Sequence, residues 1–347
     1  MGQALAQGSL LRVAEEYNLA DVRERLAVLP ESFVAELAEV ERRLVAIEAD
    51  GTGPAVEVAR RLLGAGGKRV RPLLCLLAGR AFPPRRPGPE LTVLAQAAEL
   101  LHCASLLHDD VIDLGDFRRG RPAPRVVFGN AASVLGGDLL LVRAVALTEA
   151  AGLPGLLGSL LEVLRRMVDA ESLQLEYRGR TDVAEDDYFA IVGGKTAALF
   201  EWAAEAGARC AGAPEASIEA LRSFAHELGV AFQLVDDLVD LRQDPVTAGK
   251  AVWQDLRSGT LTFPVIRAAC IRPELRSQLR AIAAGEEEAA GQPSIVEAVE
   301  QAGGLQAGRR EVARRTELAR TALSVLPLSP AREALGVLVG RLATRVR

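Results

Sequence analysis

Aromatic residues make up only 4% of the 347-residue chain. Strands favour aromatic and β-branched side chains, whereas this sequence is filled with Ala, Leu, Glu and Arg, so an all-β architecture is disfavoured. Cysteine is scarce as well. It stands at 75, 103, 210 and 270, with no CxxC pair and no short Cys/His spacing, which suggests neither a zinc site nor a disulfide framework. No uninterrupted apolar run approaches the ~20 residues that span a bilayer. The N-terminus, MGQALAQGSL, lacks a basic region followed by an apolar stretch and carries Ala6 where myristoylation prefers Ser or Thr. The expected compartment is the cytoplasm, without a transmembrane segment. A dominant charge is missing too: 41 Lys and Arg against 46 Asp and Glu leave −5. That balance argues against nucleic acid as a partner and, taken alone, against any polyanionic ligand.

What is present is a folded-protein balance of 49% hydrophobic and 25% charged residues, in a chain long enough for one large domain or two ordinary ones. Apolar residues recur at spacings of three and four, interrupted by Gly and Pro at 64–67, 83–89, 115–124, 152–158, 212–214 and 285–293. Asp182 with Glu185, and Ser294 with Glu297, have the spacing of capping boxes. There is no repeat at a solenoid period and no domain-sized linker. The expectation is one all-α domain over residues 1–347, with residues 1–30 as a helical preface.

Residues 90–113, ELTVLAQAAELLHCASLLHDDVID, read as a long apolar helix ending in Asp109, Asp110 and Asp113. Ala98, His102, Ser105, Asp109 and Asp113 share one face. Residues 224–241 repeat the arrangement, with Gln233, Asp236 and Asp240 on one face and Asp237 beside them. A single DDxxD is most simply a solvated helix end. Here, however, carboxylates one turn apart repel, and near a C-terminus they oppose the helix dipole, so each cluster costs stability unless a cation compensates. Both clusters are also embedded in apolar helices. Hard oxygen ligands of this kind suit Mg²⁺, which shares its shell with substrate phosphates.

Basic residues flank Gly and Pro turns throughout. LGDFRRGRP carries Arg118, Arg119 and Arg121; GGKRVRP carries Lys68, Arg69 and Arg71; GGKT carries Lys195 and Thr196; and Lys250 precedes AVWQDLRSGTLTFP. Guanidinium and ammonium groups bind phosphate oxygens strongly. GGKT is not a nucleotide-binding loop, because GxxxxGK[ST] needs Gly at 189, which is Phe. His108 has no HExxH context.

With GGKRVRP, ELLHCASLLHDDVID, RRGRP, FGNAASVLGGDLLL, ESLQL, GGKTAALF, FQLVDDLVD, GK and DLxxG in order, residues 60–270 resemble the trans-type isoprenyl diphosphate synthases, or polyprenyl synthetases. The resemblance implies an all-α bundle around a deep central cavity, a homodimer, and condensation of an allylic diphosphate with isopentenyl diphosphate, releasing pyrophosphate. It implies that Asp109, Asp110 and Asp113, with Asp236, Asp237 and Asp240, bind Mg²⁺. Arg118, Lys195, Thr196, Gln233 and Lys250 match positions contacting the allylic diphosphate. Lys68, Arg71, His102 and Arg119 match those holding isopentenyl diphosphate. Asp109, Asp110, Asp113, Arg118, Lys195, Asp236 and Lys250 are the expected catalytic set.

Two departures stand out: Thr260 occupies a position usually Lys, and Ala170, ahead of Gln174, one usually Gly. The basic end, Arg341 to Arg347, is placed to help close the site. Chain length in the family depends on side chains just below the first cluster. Here these are Ala104 and Ser105, both small, and the two-residue insertion of many short-chain bacterial enzymes is missing. Counting back to Leu91, the helix lines ~27 Å. A medium or long polyprenyl product is expected; the alternatives are a short-chain farnesyl or geranylgeranyl synthase and a noncatalytic partner subunit. A terpene cyclase usually replaces the second DDxxD and lacks GKRVRP.

Overall fold

The three-and-four apolar spacing is realised as helix along most of the described chain. The computed structural model describes residues 31–47, 51–83, 87–118, 120–242, 254–284 and 292–345. The expected preface at 1–30, together with Arg119, Lys250 and the last two residues of the basic end, lies outside them. In order come α1 (Glu31–Ala46), α2 (Pro54–Gly64), α3 (Val70–Arg80), α4 (Glu90–Ile112), β1 (Phe117–Arg118), β2 (Arg121–Pro122), α5 (Pro124–Phe128), α6 (Asn130–Ala150) and α7 (Leu156–Tyr177). These are followed by α8 (Glu185–Val192), a π-helical turn (Gly193–Ala197), α9 (Ala198–Cys210), α10 (Glu215–Arg242) and α11 (Gln254–Arg257). The last elements are α12 (Phe263–Ile271), α13 (Leu275–Ala283), α14 (Gln292–Gln301), α15 (Gly304–Leu323) and α16 (Pro330–Arg345). Among the described residues, β1 and β2 are the only strands, an antiparallel pair joining Phe117 to Pro122 and Arg118 to Arg121.

The chain divides into two units. The first comprises residues 1–161, 199–222 and 323–338; the second comprises 162–198, 223–322 and 339–347. In the first, α4 is the central helix and packs against α6, α3 and α1. Its Leu91, Leu94, Ala95, Ala97, Ala98 and Leu100 are fully buried, which is why it reads apolar on every side. A fully buried leucine contributes roughly 1.5–3 kcal/mol, so this helix anchors the unit. Helix α9 crosses α3 so closely that a Cβ at Gly207 would lie 2.1 Å from the Cys75 carbonyl oxygen; only Gly permits this crossing.

In the second unit α8 packs on α12, and α12 on α14. Part of the chain's small stock of rings gathers here: Phe189 lies 5.2 Å from Tyr188 and 5.3 Å from Phe263, centroid to centroid. The capping box expected at Asp182 does not form as the sequence suggests. Asp182 is taken by the Arg180 guanidinium, 2.8 Å away, and the cap of α8 is instead the Ala184 N–H donating to Asp187 Oδ2 at 2.9 Å. A charge-assisted fork two residues back outcompetes a neutral backbone donor. Helix α14 begins at Gln292, so Ser294 lies inside its first turn.

Although neither contains an uninterrupted apolar run of ~20 residues, helices α4 and α6 are long and apolar enough, by length and composition, to cross a membrane. Burial separates the two. The apolar window of α4 is mostly interior, whereas that of α6 is mostly not.

Candidate active site

The first cluster sits on the last turn of α4, where Asp113 is the C-cap and its N–H donates to the Asp109 carbonyl at 2.8 Å. No basic residue occupies that turn. Asp110 points inward, 1% exposed. Its Oδ1 accepts from Arg118 Nε at 2.8 Å and also from Arg118 Nη2, while its Oδ2 is buried without a hydrogen-bond partner. The chain turns at Leu114, whose φ is +53°, and Arg125 fastens the turn by donating to Gly115 O at 2.8 Å and Asp116 Oδ1 at 2.7 Å. Arg118 is therefore presented by a hairpin tied back to the cluster itself.

Ser105, half-buried on the same face, donates to the His102 carbonyl at 2.9 Å, and Ala104 is buried beside it. His108 has a packing role: its Nε2 lies 3.3 Å from Val134 O and 3.2 Å from Asp138 on α6. On the first turn of α3, the Arg71 guanidinium lies 4.7 Å from the centroid of the Phe200 ring.

In the second unit, Lys195 and Thr196 lie on the π-helical turn, a local widening that often marks function. Lys195 Nζ pairs with Glu171 Oε2 at 2.5 Å. A hydrogen-bonded chain then runs from the turn to the second cluster. Thr196 donates to Gln233 Oε1 at 3.1 Å, Gln233 Nε2 to Asp237 Oδ1 at 2.9 Å, and Tyr188 to Asp237 Oδ2 at 2.6 Å. Asp237 is 2% exposed. Burial pushes its carboxyl up to about 7; the Tyr188 and Gln233 hydrogen bonds oppose the rise, and Asp236 and Asp240 add to it. Burial and the adjacent Asp237 hold the Tyr188 hydroxyl well above its usual range. Asp236 and Asp240 are half-buried.

Both departures have local accounts. A Cβ at Gly194 would lie 2.6 Å from the Ala170 Cβ and 2.8 Å from the Arg166 carbonyl, so glycine at 194 makes room for alanine at 170. Thr260 donates its N–H to Asp255 O at 2.8 Å, and its Oγ1 lies 3.3 Å from Ser258 Oγ. It shapes the turn and brings no charge. Tyr188 lies in no motif and is revealed only by its partner Asp237, and Glu171, though it opens the ESLQL motif, gains a role only through its pairing with Lys195.

The first cluster fits a divalent cation. The carboxylates gather at a helix C-terminus with no basic residue in the turn, and Asp110 Oδ2 is buried without a donor although Arg118 holds Oδ1; a cation suits both features. Among the described residues no three His, Cys, Asp or Glu side chains converge on one point. Mg²⁺ needs only one or two carboxylates when substrate phosphates complete its shell.

This arrangement has known counterparts. The polyprenyl synthetase family model matches residues 55–301. The chain is 37% identical over 276 residues to octaprenyl diphosphate synthase of Escherichia coli, spanning 79% of this chain and 84% of that one. Among solved structures, polyprenyl synthase from Caulobacter crescentus, complexed with calcium and isoprenyl diphosphate, superposes with a TM-score of 0.84 at 35% identity, over 92% of this chain and 97% of that one. A decaprenyl diphosphate synthase from Rhodobacter capsulatus gives 0.82 at 34% identity, over 97% and 99%. The fold is thus the all-α fold of isoprenyl diphosphate synthases. The chain belongs to the polyprenyl synthetase family and is a trans-prenyltransferase.

Proposed function

We propose that the chain acts as one domain that condenses an allylic diphosphate with isopentenyl diphosphate, in repeated rounds, to a medium- or long-chain all-trans polyprenyl diphosphate. The observation that carries this reading is the pair of carboxylate-rich DDxxD segments, each with one buried aspartate held by protein hydrogen bonds, Asp110 by Arg118 and Asp237 by Tyr188 and Gln233. Asp109, Asp113, Asp236 and Asp240 would then hold the cations together with Asp110 Oδ2, while Arg118 orients Asp110 and the Tyr188 and Gln233 hydrogen bonds orient Asp237. Arg118, Lys195, Thr196, Gln233 and Lys250 bind the allylic diphosphate. Lys68, Arg71, His102 and Arg119 bind isopentenyl diphosphate.

Bound Mg²⁺ supplies positive charge against that developing on the departing diphosphate. Arg118, Lys195 and Lys250 stabilise the same charge as the allylic C–O bond breaks and both of its electrons leave with pyrophosphate. Lys68, Arg71 and His102 orient isopentenyl diphosphate so that its alkene attacks the resulting cation. The proton lost in restoring the double bond goes to pyrophosphate. Apolar walls exclude the water that would trap the cation.

The small Ala104 and Ser105 support the longer product, as do the octaprenyl and decaprenyl relatives. A homodimer is supported by α6, which leaves Val134, Leu135 and Val142 exposed along one side. A reducing, cytoplasmic setting suits cysteines that form no disulfide. The test is incubation with Mg²⁺, isopentenyl diphosphate and allylic primers of several lengths, followed by product analysis. Condensation with at least one primer is expected, and no product with any primer overturns the reading.

A further inference from the structure

Between Lys68 and Arg71 stands Arg69, to which the motif assigns no role. Its backbone is left-handed, at φ 50° and ψ 35°, immediately ahead of α3. A side-chain-bearing residue other than Asn or Asp rarely adopts this conformation, which costs on the order of 1–2 kcal/mol, so surrounding contacts must enforce it. Those contacts are ionic and buried. The Arg69 side chain is 3% exposed and that of Glu99 2%, and Arg69 Nη1 donates to Glu99 Oε1 at 2.6 Å. Nε donates to Glu41 Oε1 at 2.9 Å, and Nη2 to the Leu63 carbonyl at 3.4 Å.

One guanidinium therefore joins α1, α2 and α4 to the segment that carries Lys68 and leads into the first turn of α3, where Arg71 stands. Removing a guanidinium from water is costly even when it is paired, and a buried apolar side chain would stabilise the unit at least as well. What the ionic fork adds is direction, because a planar group held by two carboxylates has one orientation. Glu99 lies three residues before His102 on α4, so the fork fixes the basic turn against the helix that presents His102 and Asp109. Arg71, on the first turn of α3, is stacked on Phe200.

We propose that Arg69 is a positioning residue: through Glu99 and Glu41 it holds the Lys68–Arg71 turn in register with α4, pre-aiming the groups that receive isopentenyl diphosphate. The proposal rests on the reading that Lys68 and Arg71 bind that substrate, and the test separates the two. Steady-state constants for both substrates are measured for Arg69→Gly, Arg69→Lys, Glu99→Gln and Lys68→Ala. Arg69→Gly suits the left-handed backbone but removes the fork, so a purely conformational role predicts normal kinetics for it. Positioning instead predicts a KM for isopentenyl diphosphate raised roughly tenfold or more, with the allylic KM within about twofold of wild type. Arg69→Lys restores part of the loss. If Arg69→Gly does not fold, Glu99→Gln, which keeps the shape and removes the charge, carries the same comparison. An unchanged KM for isopentenyl diphosphate, or equal loss toward both substrates, overturns the role of Arg69. If Lys68→Ala also leaves that KM unchanged, the assignment of the turn itself has failed.

Discussion

Tyr188 donates its hydroxyl to Asp237 Oδ2 at 2.6 Å, and both side chains are buried. Asp237 thus spends its two oxygens on protein donors and stands in the second cluster as the residue that fixes the geometry of its neighbours. Its carboxyl is pushed up to about 7, chiefly by burial, whereas an unfolded chain titrates the same group near ~3.9. Between those values the folded protein holds a proton that the unfolded chain has released. Without divalent cations, stability therefore falls as pH rises from about 4 to about 7 and levels off above. Denaturant unfolding in chelator across this range should show the decline, and Asp237→Asn should weaken it. Tyr188→Phe removes a hydrogen bond that favours the charged form, so its decline should extend to higher pH. Parallel curves for wild type and Asp237→Asn would contradict the assignment.

Asp109 and Asp110 are adjacent yet differently used, so their variants should differ in kind. Asp109→Ala is expected to lower turnover by roughly 10²-fold or more, the scale seen when developing charge loses one preorganised partner, with the melting temperature little changed. Asp110→Ala leaves Arg118 and its hairpin without their anchor and should lower both turnover and melting temperature. Turnover assays paired with thermal unfolding distinguish the two, and near-normal activity in Asp109→Ala would contradict a cation-binding role.

The span of α4 was legible in the sequence almost to the residue, 90–113 expected against Glu90–Ile112 observed, because apolar periodicity and the turn after the aspartates are local signals. The two DDxxD segments were legible for the same reason. What was not legible is pairing over distance. Tyr188 and Asp237 are 49 residues apart in sequence, and Arg69 and Glu99 are 30 apart, so which carboxylate is buried and which arginine holds it are properties of the packing alone. The failed capping box at Asp182 shows the converse. Local spacing was correct there, but a nearer and stronger partner, Arg180, claimed the side chain.

Helix α6 exposes Leu135 by 56% and Val142 by 65%, an apolar side that a second copy of the chain would cover. Leu135→Glu with Val142→Glu should therefore shift the protein from dimer to monomer in sedimentation. Their exposure means that helix formation and the α4 core should survive, which circular dichroism can check. A wild-type monomer at micromolar concentration, or a double variant that stays dimeric, would remove α6 as the interface.

Product length tests the stretch of α4 just below the first cluster. Ser105 is half-buried one turn before Asp109, Ala104 is buried beside it, and Ala97 and Ala98 lie fully buried further down the helix. If the growing tail descends along this face, its room is set by the absence of bulk at 104 and 105. Ser105→Phe replaces a hydroxymethyl group with a ring, and should shift the products of the same primer toward shorter chains while leaving the first condensation nearly intact. Reverse-phase separation of the dephosphorylated products reads the distribution directly. Ala104→Phe serves as the comparison, since burial makes overpacking at that position cost about 1–3 kcal/mol and lower stability as well. An active Ser105→Phe variant with unchanged product lengths would show that the tail takes another route.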